Sequence, residues 1–117
     1  MNAMAQLAPA PELFEAPALP GLTVILPSHN EEENVAAAVS AARSAARRYA
    51  LRHEIVIVDD GSTDGTGAMA AMLARAAPGV RVVTHERNRG YGAAVRSGIA
   101  AATMPWILLT DGDLQFD

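Results

Sequence analysis

From Gly21 onward, short apolar runs alternate with longer stretches whose apolar residues recur at helical spacing. Leu22 to Leu26 is a compact, β-branched run ended by Pro27, and it predicts a strand buried on both faces. A helix is expected from about Glu31 to Tyr49, because Val35, Val39, Ala42 and Ala46 fall on one face. Asn30 with Glu33 forms a capping pair in this reading. Glu31 to Glu33 then sit at the positive end of the helix dipole, and Arg43, Arg47 and Arg48 at the negative end. Glu54 to Asp59 predicts a second buried strand. Gly61 to Gly65 predicts a turn, and a helix follows to about Ala76, where Pro78-Gly79 breaks it. Val80 to Thr84 is a third strand, Arg87 to Gly90 a loop and Tyr91 to Ala102 a third helix. Pro105 precedes a fourth buried strand, Trp106 to Thr110. The order βαβαβαβ implies an α/β fold: a Rossmann-like parallel sheet with helices on each side.

Composition narrows this picture. Hydrophobic residues make up 50 % of the 117 positions, enough for one small core, and aromatics only 4 %. The net charge of -4 argues against a nucleic-acid surface. With no cysteine, a disulfide framework and a cysteine zinc site are both excluded. Residues 1–20 read as a flexible Ala/Pro-rich tail: Pro9, Pro11, Pro17 and Pro20 interrupt it, and it lacks the basic start of a secretory signal. Residues 21–117 form the folded unit. No apolar run approaches the ~20 residues that span a bilayer.

In an open parallel sheet, ligands bind beyond the carboxyl ends of the strands. Here those ends carry Pro27-Ser28-His29-Asn30-Glu31, Asp59-Asp60-Gly61-Ser62-Thr63-Asp64, Glu86-Arg87-Asn88-Arg89-Gly90 and Asp111-Gly112-Asp113. The first turn has no glycine and several glutamates, which is unlike a dinucleotide site. Gly90 and Gly92 match only part of that fingerprint. Such an acidic edge would repel a diphosphate unless a divalent cation lay between them. Two aspartates one residue apart are suitable hard ligands for Mg²⁺ or Mn²⁺.

Plainer roles compete at several positions. Asp64 is an equally good cap for the second helix, and Gly61 and Gly65 are turn residues first. His53 and His85 lack partners at metal-ligand spacing and read as surface or edge residues. Tyr91 and Trp106 read as packing residues. Arg87 and Arg89 suit either a phosphate or a solvated loop.

Three blocks resemble the family 2 glycosyltransferases: Pro27 to Glu31, Val58 to Thr66, and Asn88 to Gly92 leading to Asp111-Gly112-Asp113-Leu114-Gln115. The last form is most similar to the subgroup that transfers sugars to polyprenyl (dolichyl-type) phosphates. The resemblance implies a GT-A fold, a GDP- or UDP-linked sugar donor, a lipid-phosphate acceptor, and a place in the cytoplasm at the inner face of a membrane. It implies that Pro27, His29 and Glu31 border the nucleotide and that Asp60 contacts base or ribose with Val58 packed nearby. It further implies that Asp111 and Asp113 reach the metal, assisted by Gln115, with Asp111 also bordering the substrate. His29 departs from the aromatic frequent at its position. The acceptor site and, unless the acceptor is already an anionic phosphate, the catalytic base are expected beyond Asp117, so this stretch is expected to bind donor weakly and to turn over poorly. The alternatives are a non-catalytic nucleotide- or metal-binding α/β module and a Mg-dependent phosphohydrolase. The latter would place its Asp-x-Asp after the first strand. A sugar nucleotidyltransferase would carry a Gly-rich basic loop there.

Overall fold

A computed structural model describes residues 19–110. The elements are β1 (Leu19–Ser28), α1 (Val35–Tyr49), β2 (Ala50–Asp60), α2 (Thr66–Ala76), β3 (Val80–His85), α3 (Tyr91–Ala101) and β4 (Trp106–Leu109). All strands are parallel, in the order β3-β2-β1-β4. The chain therefore steps one way across the sheet from β1 to β3, then crosses back to place β4 on the other side of β1. Right-handed crossovers put helices made in one direction on one face and those made in the other on the opposite face. Accordingly α1 and α2 cover one face and α3 the other.

The two-residue period of the strands divides the core. Leu22, Val24, Leu26, Ile55 and Ile57 point to the α1–α2 side and pack on Val35, Ala38, Val39, Ala42 and Ala46. Ile25, Val56 and Val58 point the other way, with Ala94. On that side Gly98 of α3 lies against Ile25, where an added Cβ would collide with the isoleucine Cγ2. The helix can seat this low only because position 98 has no side chain.

Several sequence expectations change. The first helix begins at Val35 instead of Glu31, and its N-cap residue, Asn34, makes no side-chain capping bond. Asn30 adopts φ +54, a left-handed conformation that cannot start a helix, so the Asn30–Glu33 capping pair does not form. The glutamates lie in the loop, and only Arg47 and Arg48 of the dipole pattern occupy a terminal turn. β1 and β2 both extend beyond their apolar runs, and β1 already includes Leu19 and Pro20 of the expected tail. β4 was expected to be buried, yet all four of its residues are exposed. Among the described residues, the helices pack on β1, β2 and β3, and β4 lies at the edge of the sheet beside β1. Trp106, expected to pack, is 53 % exposed. Among the described residues, no helix is long and apolar enough to cross a membrane.

At the opposite end of the sheet from the acidic loops, one carboxylate ties several elements together. Glu54 is in register with Thr23, so both point to the α3 side. Glu54 accepts hydrogen bonds from the Thr23 hydroxyl (2.6 Å), from the Thr103 N–H and hydroxyl (2.7 and 2.9 Å), and from Arg81 (2.9 Å). Burial alone would raise its pKa, but these donors outweigh it and bring the carboxyl from 4.5 down to about 2.

Candidate functional site at the carboxyl ends of the strands

The strand order reverses between β1 and β4, and ligands of open α/β sheets bind beyond the strand ends at such a point. The segment after β1 borders this crevice on one side. Asp111 and Asp113, which follow β4, lie outside the described residues, as does Gln115.

Adjacent aspartates at the end of β2 must face opposite sides of the sheet. Asp59 turns toward α2, where its Oδ1 accepts from the Ser62 N–H (3.1 Å) and shapes the following turn. Asp60 turns toward the loop after β3. Its Oδ1 accepts from the Arg89 N–H (2.9 Å) and faces His85 Nδ1 at 2.8 Å, and its Oδ2 accepts from the Gly90 N–H (2.9 Å). Burial pushes the Asp60 carboxyl up, but the Arg89 N–H, His85 and the Gly90 N–H together hold it below the usual carboxylate range. His85 is buried and reaches Ser97 Oγ through Nε2 at 2.8 Å. The expectation that His85 is a surface or edge residue is thus replaced by a buried link from Asp60 to α3. The sequence carried a usable signal, since His85 is the register partner of Asp60 once β2 and β3 pair.

The loop after β1 is sewn to the turn after β2. Asn30 Oδ1 accepts from the Thr63 N–H at 2.9 Å and the Asp64 N–H at 3.4 Å, and the Asn30 N–H donates to Ser62 Oγ at 3.0 Å. The Glu31 N–H donates to Thr66 Oγ1 at 2.7 Å. Thr66 in turn gives both its N–H (2.9 Å) and its hydroxyl (2.6 Å) to Asp64 Oδ1. Asp64 therefore holds the entry to α2, the plainer of its two roles. The Thr66 hydroxyl, with the Thr66 and Glu32 N–H groups, lowers its pKa against the opposing effect of burial. Glu32 accepts from the Gly65 N–H at 2.8 Å. Gly61, at φ +66, lies so close to the backbone of Arg87 and Asn88 that no Cβ fits.

His29 joins all three segments. Its Nδ1 lies 2.8 Å from the Asp60 carbonyl, which only accepts, so Nδ1 carries the proton. Nε2 then accepts from the Asn88 amide at 3.1 Å. Of the residues singled out in the sequence, the fold thus brings His29, Glu31 and Asp60 into one bonded cluster. Pro27 is half-buried at the end of β1. Val58 is fully buried beneath them, with no surface to offer a ligand directly. The bond of Asn88 to His29 and the structural use of Asn30 escaped sequence reasoning, because they join loops some sixty and thirty residues apart in the chain.

Two clefts open here. One of about 340 Å³ is lined by Asn30 to Asn34 and Asp64, and one of about 540 Å³ by Thr84, His85, Glu86, Arg87 and Arg89. Glu32, Asp59, Asp60 and Asp64, four of the seven acids of this edge among the described residues, already accept hydrogen bonds from loop N–H groups. Among the described residues, no three His, Asp or Glu side chains converge as a metal site.

Residues 23–117 match the model for glycosyl transferase family 2. The chain is 39 % identical over 97 residues to dodecaprenyl-phosphate galacturonate synthase of Rhizobium johnstonii, covering 82 % of this chain and 29 % of that protein. It is 34 % identical over 120 residues to human dolichyl-phosphate beta-glucosyltransferase, covering 97 % and 37 %. It thus spans about a third of the length of these relatives. Among solved structures, the mannosyltransferase PcManGT of Pyrobaculum calidifontis, in complex with GDP-Man and Mn²⁺, superposes with a TM-score of 0.70 at 27 % identity, covering 84 % of this chain and 30 % of that one.

Proposed function

Because the chain belongs to glycosyl transferase family 2, we propose that it forms the donor-binding part of an enzyme that moves a sugar from a nucleoside diphosphate to a polyprenyl phosphate. The observation that carries this reading is the sheet reversal between β1 and β4, bordered by the His29–Glu31 segment and followed in sequence by Asp111-Gly112-Asp113. The names of the two relatives supply the lipid-phosphate acceptor.

In this reading His29 and Glu31 border the nucleotide beside the half-buried Pro27, with Val58 in the core beneath. Asp60 acts by holding Arg89 and Gly90 in place, since its own oxygens are taken. That leaves Arg87 and Arg89 side chains exposed beside the second cleft, where guanidinium groups suit phosphate oxygens. Asp111, Asp113 and Gln115 offer only carboxylate and amide oxygens, a donor set that fits Mg²⁺ or Mn²⁺. A cation bound there would offset the diphosphate charge and act as a Lewis acid toward the leaving group. In the transfer, the bond from the sugar's anomeric carbon to the diphosphate oxygen breaks, and the acceptor phosphate oxygen forms its replacement. That acceptor is already anionic, so it needs no base to remove a proton.

Calorimetric titration of the chain with GDP and UDP tests the proposal. Binding of one of them should require Mn²⁺ or Mg²⁺, and Asp113→Ala should remove the metal dependence. Binding that is equally tight in EDTA, or no binding of either nucleotide, would overturn it.

A further inference from the structure

The charge of this chain is unevenly distributed. All nine basic residues are arginines, and five of them, Arg43, Arg47, Arg48, Arg52 and Arg75, fall in two stretches, 34–53 and 65–80, that contain no Asp or Glu. The acids cluster instead in the loops at the carboxyl ends of the strands. Helix α1 leads directly into β2 at Ala50, so its C-terminal half lies toward the opposite end of the sheet from those loops.

On that half of α1, Ser40, Arg43, Ser44 and Arg47 recur at spacings of three and four and therefore share one face. They line a groove of about 250 Å³ whose other wall is Leu73 and Ala76 of α2 with Ala77 just beyond it. Arg43 Nε is buried in the structure without a hydrogen-bond partner. Among the described residues, the carboxylates paired with a basic side chain are Glu54, with Arg81, and Asp60, with His85, so none of the five arginines meets a carboxylate. Arg48 instead lies over the ring of Tyr49, 5.9 Å from its centroid.

Helix dipoles do not account for this surplus. Each helix C-terminus carries about half a negative charge, so the ends of α1 and α2 offset about one of the five guanidiniums. A buried donor left unpaired is costly, and a guanidinium fork matches the oxygens of a phosphate. His53 responds to the same excess: burial, then Arg47 and Arg43, hold its pKa below the usual 6.5.

We infer that the α1–α2 groove is a binding site for a phosphate group, separate from the site at the carboxyl ends of the strands. Arg43 and Arg47 supply the charge-assisted donors and the Ser40 and Ser44 hydroxyls complete the set. The phosphate belongs either to a soluble phosphate compound or to an anionic lipid headgroup.

The test is a titration of the isotopically labelled chain with sodium phosphate in EDTA at constant ionic strength, observed by NMR. The Arg43 Nε–H and the amides of Ser40, Ser44 and Arg47 should shift and saturate, while Arg96 on the opposite face should not. Arg47 is exposed, so Arg47→Gln should fold normally and weaken the titration about tenfold, the loss of one charge-assisted hydrogen bond. Arg43→Gln should abolish it, and circular dichroism reports its fold. In parallel, flotation with phosphatidylglycerol and phosphatidylcholine vesicles separates the sources. Phosphatidylglycerol binding lost in Arg47→Gln assigns a lipid headgroup, and saturable free-phosphate binding without it assigns a soluble ligand. Shifts equalled by chloride, shifts unaffected by Arg47→Gln, or no response in either arm would overturn the site.

Discussion

Replacing Glu54 with glutamine should weaken the fold in a way that depends on pH. Its side chain is 8 % exposed and receives four donors, from β1, from β3 and from the turn that precedes β4. Lowering a carboxyl from 4.5 to about 2 corresponds to about 3 kcal/mol of folding stability at neutral pH. Because the folded pKa lies below the unfolded one, this stability is fully present above pH 4.5 and is lost as pH falls toward 2. Glu54→Gln keeps the shape and loses the charge, so it should cost about 2–3 kcal/mol at pH 7 and lower Tm by about 10 °C or more. The assay is urea denaturation of both proteins by circular dichroism between pH 3 and pH 7. Other carboxylates also titrate in this range, so the informative quantity is the difference between the two proteins. That difference should be constant above pH 5 and shrink below it. A difference as large at pH 3 as at pH 7, or none at any pH, would refute the reasoning.

Three further outcomes are expected. Gly98→Ala should destabilise by about 1–3 kcal/mol, read from the urea midpoint, because its Cβ meets Ile25 under α3. Asn30→Ala removes the acceptor for the Thr63 and Asp64 N–H groups and places alanine at φ +54; it should cost about 1–2 kcal/mol and speed amide exchange at Thr63. His85→Ala should leave Arg89 and Gly90 bonded to an Asp60 that has lost its lateral support. Faster amide exchange at both residues, with the α1–α2 side of the core unchanged, is the result to look for.

The family assignment and the alternation of elements were legible in the chain because both rest on local signals. Val35, Val39, Ala42 and Ala46 announce one buried helical face, and all four are buried. The site was legible in part. His29, Glu31 and Asp60 do converge, while the work each does there was hidden by its partners' distance along the chain. The helix start was misjudged at Asn30 because an Asn followed by glutamates is a good local cap, and a tertiary bond to the β2–α2 turn outweighs it. The exposure of β4 was equally hidden, since an apolar run reads the same at the edge of a sheet as at its centre.

By itself, then, the sequence determined the βαβ rhythm and the family, because spacing and side-chain type suffice for these. Strand order, and with it the place of the crevice, came from crossover handedness and non-local packing. Adjacent acids such as Asp59 and Asp60 received separate duties only once β2 lay in register with β3, because the pleat sends neighbours to opposite faces. The tertiary structure alone decided which of the described carboxylates hold loops together.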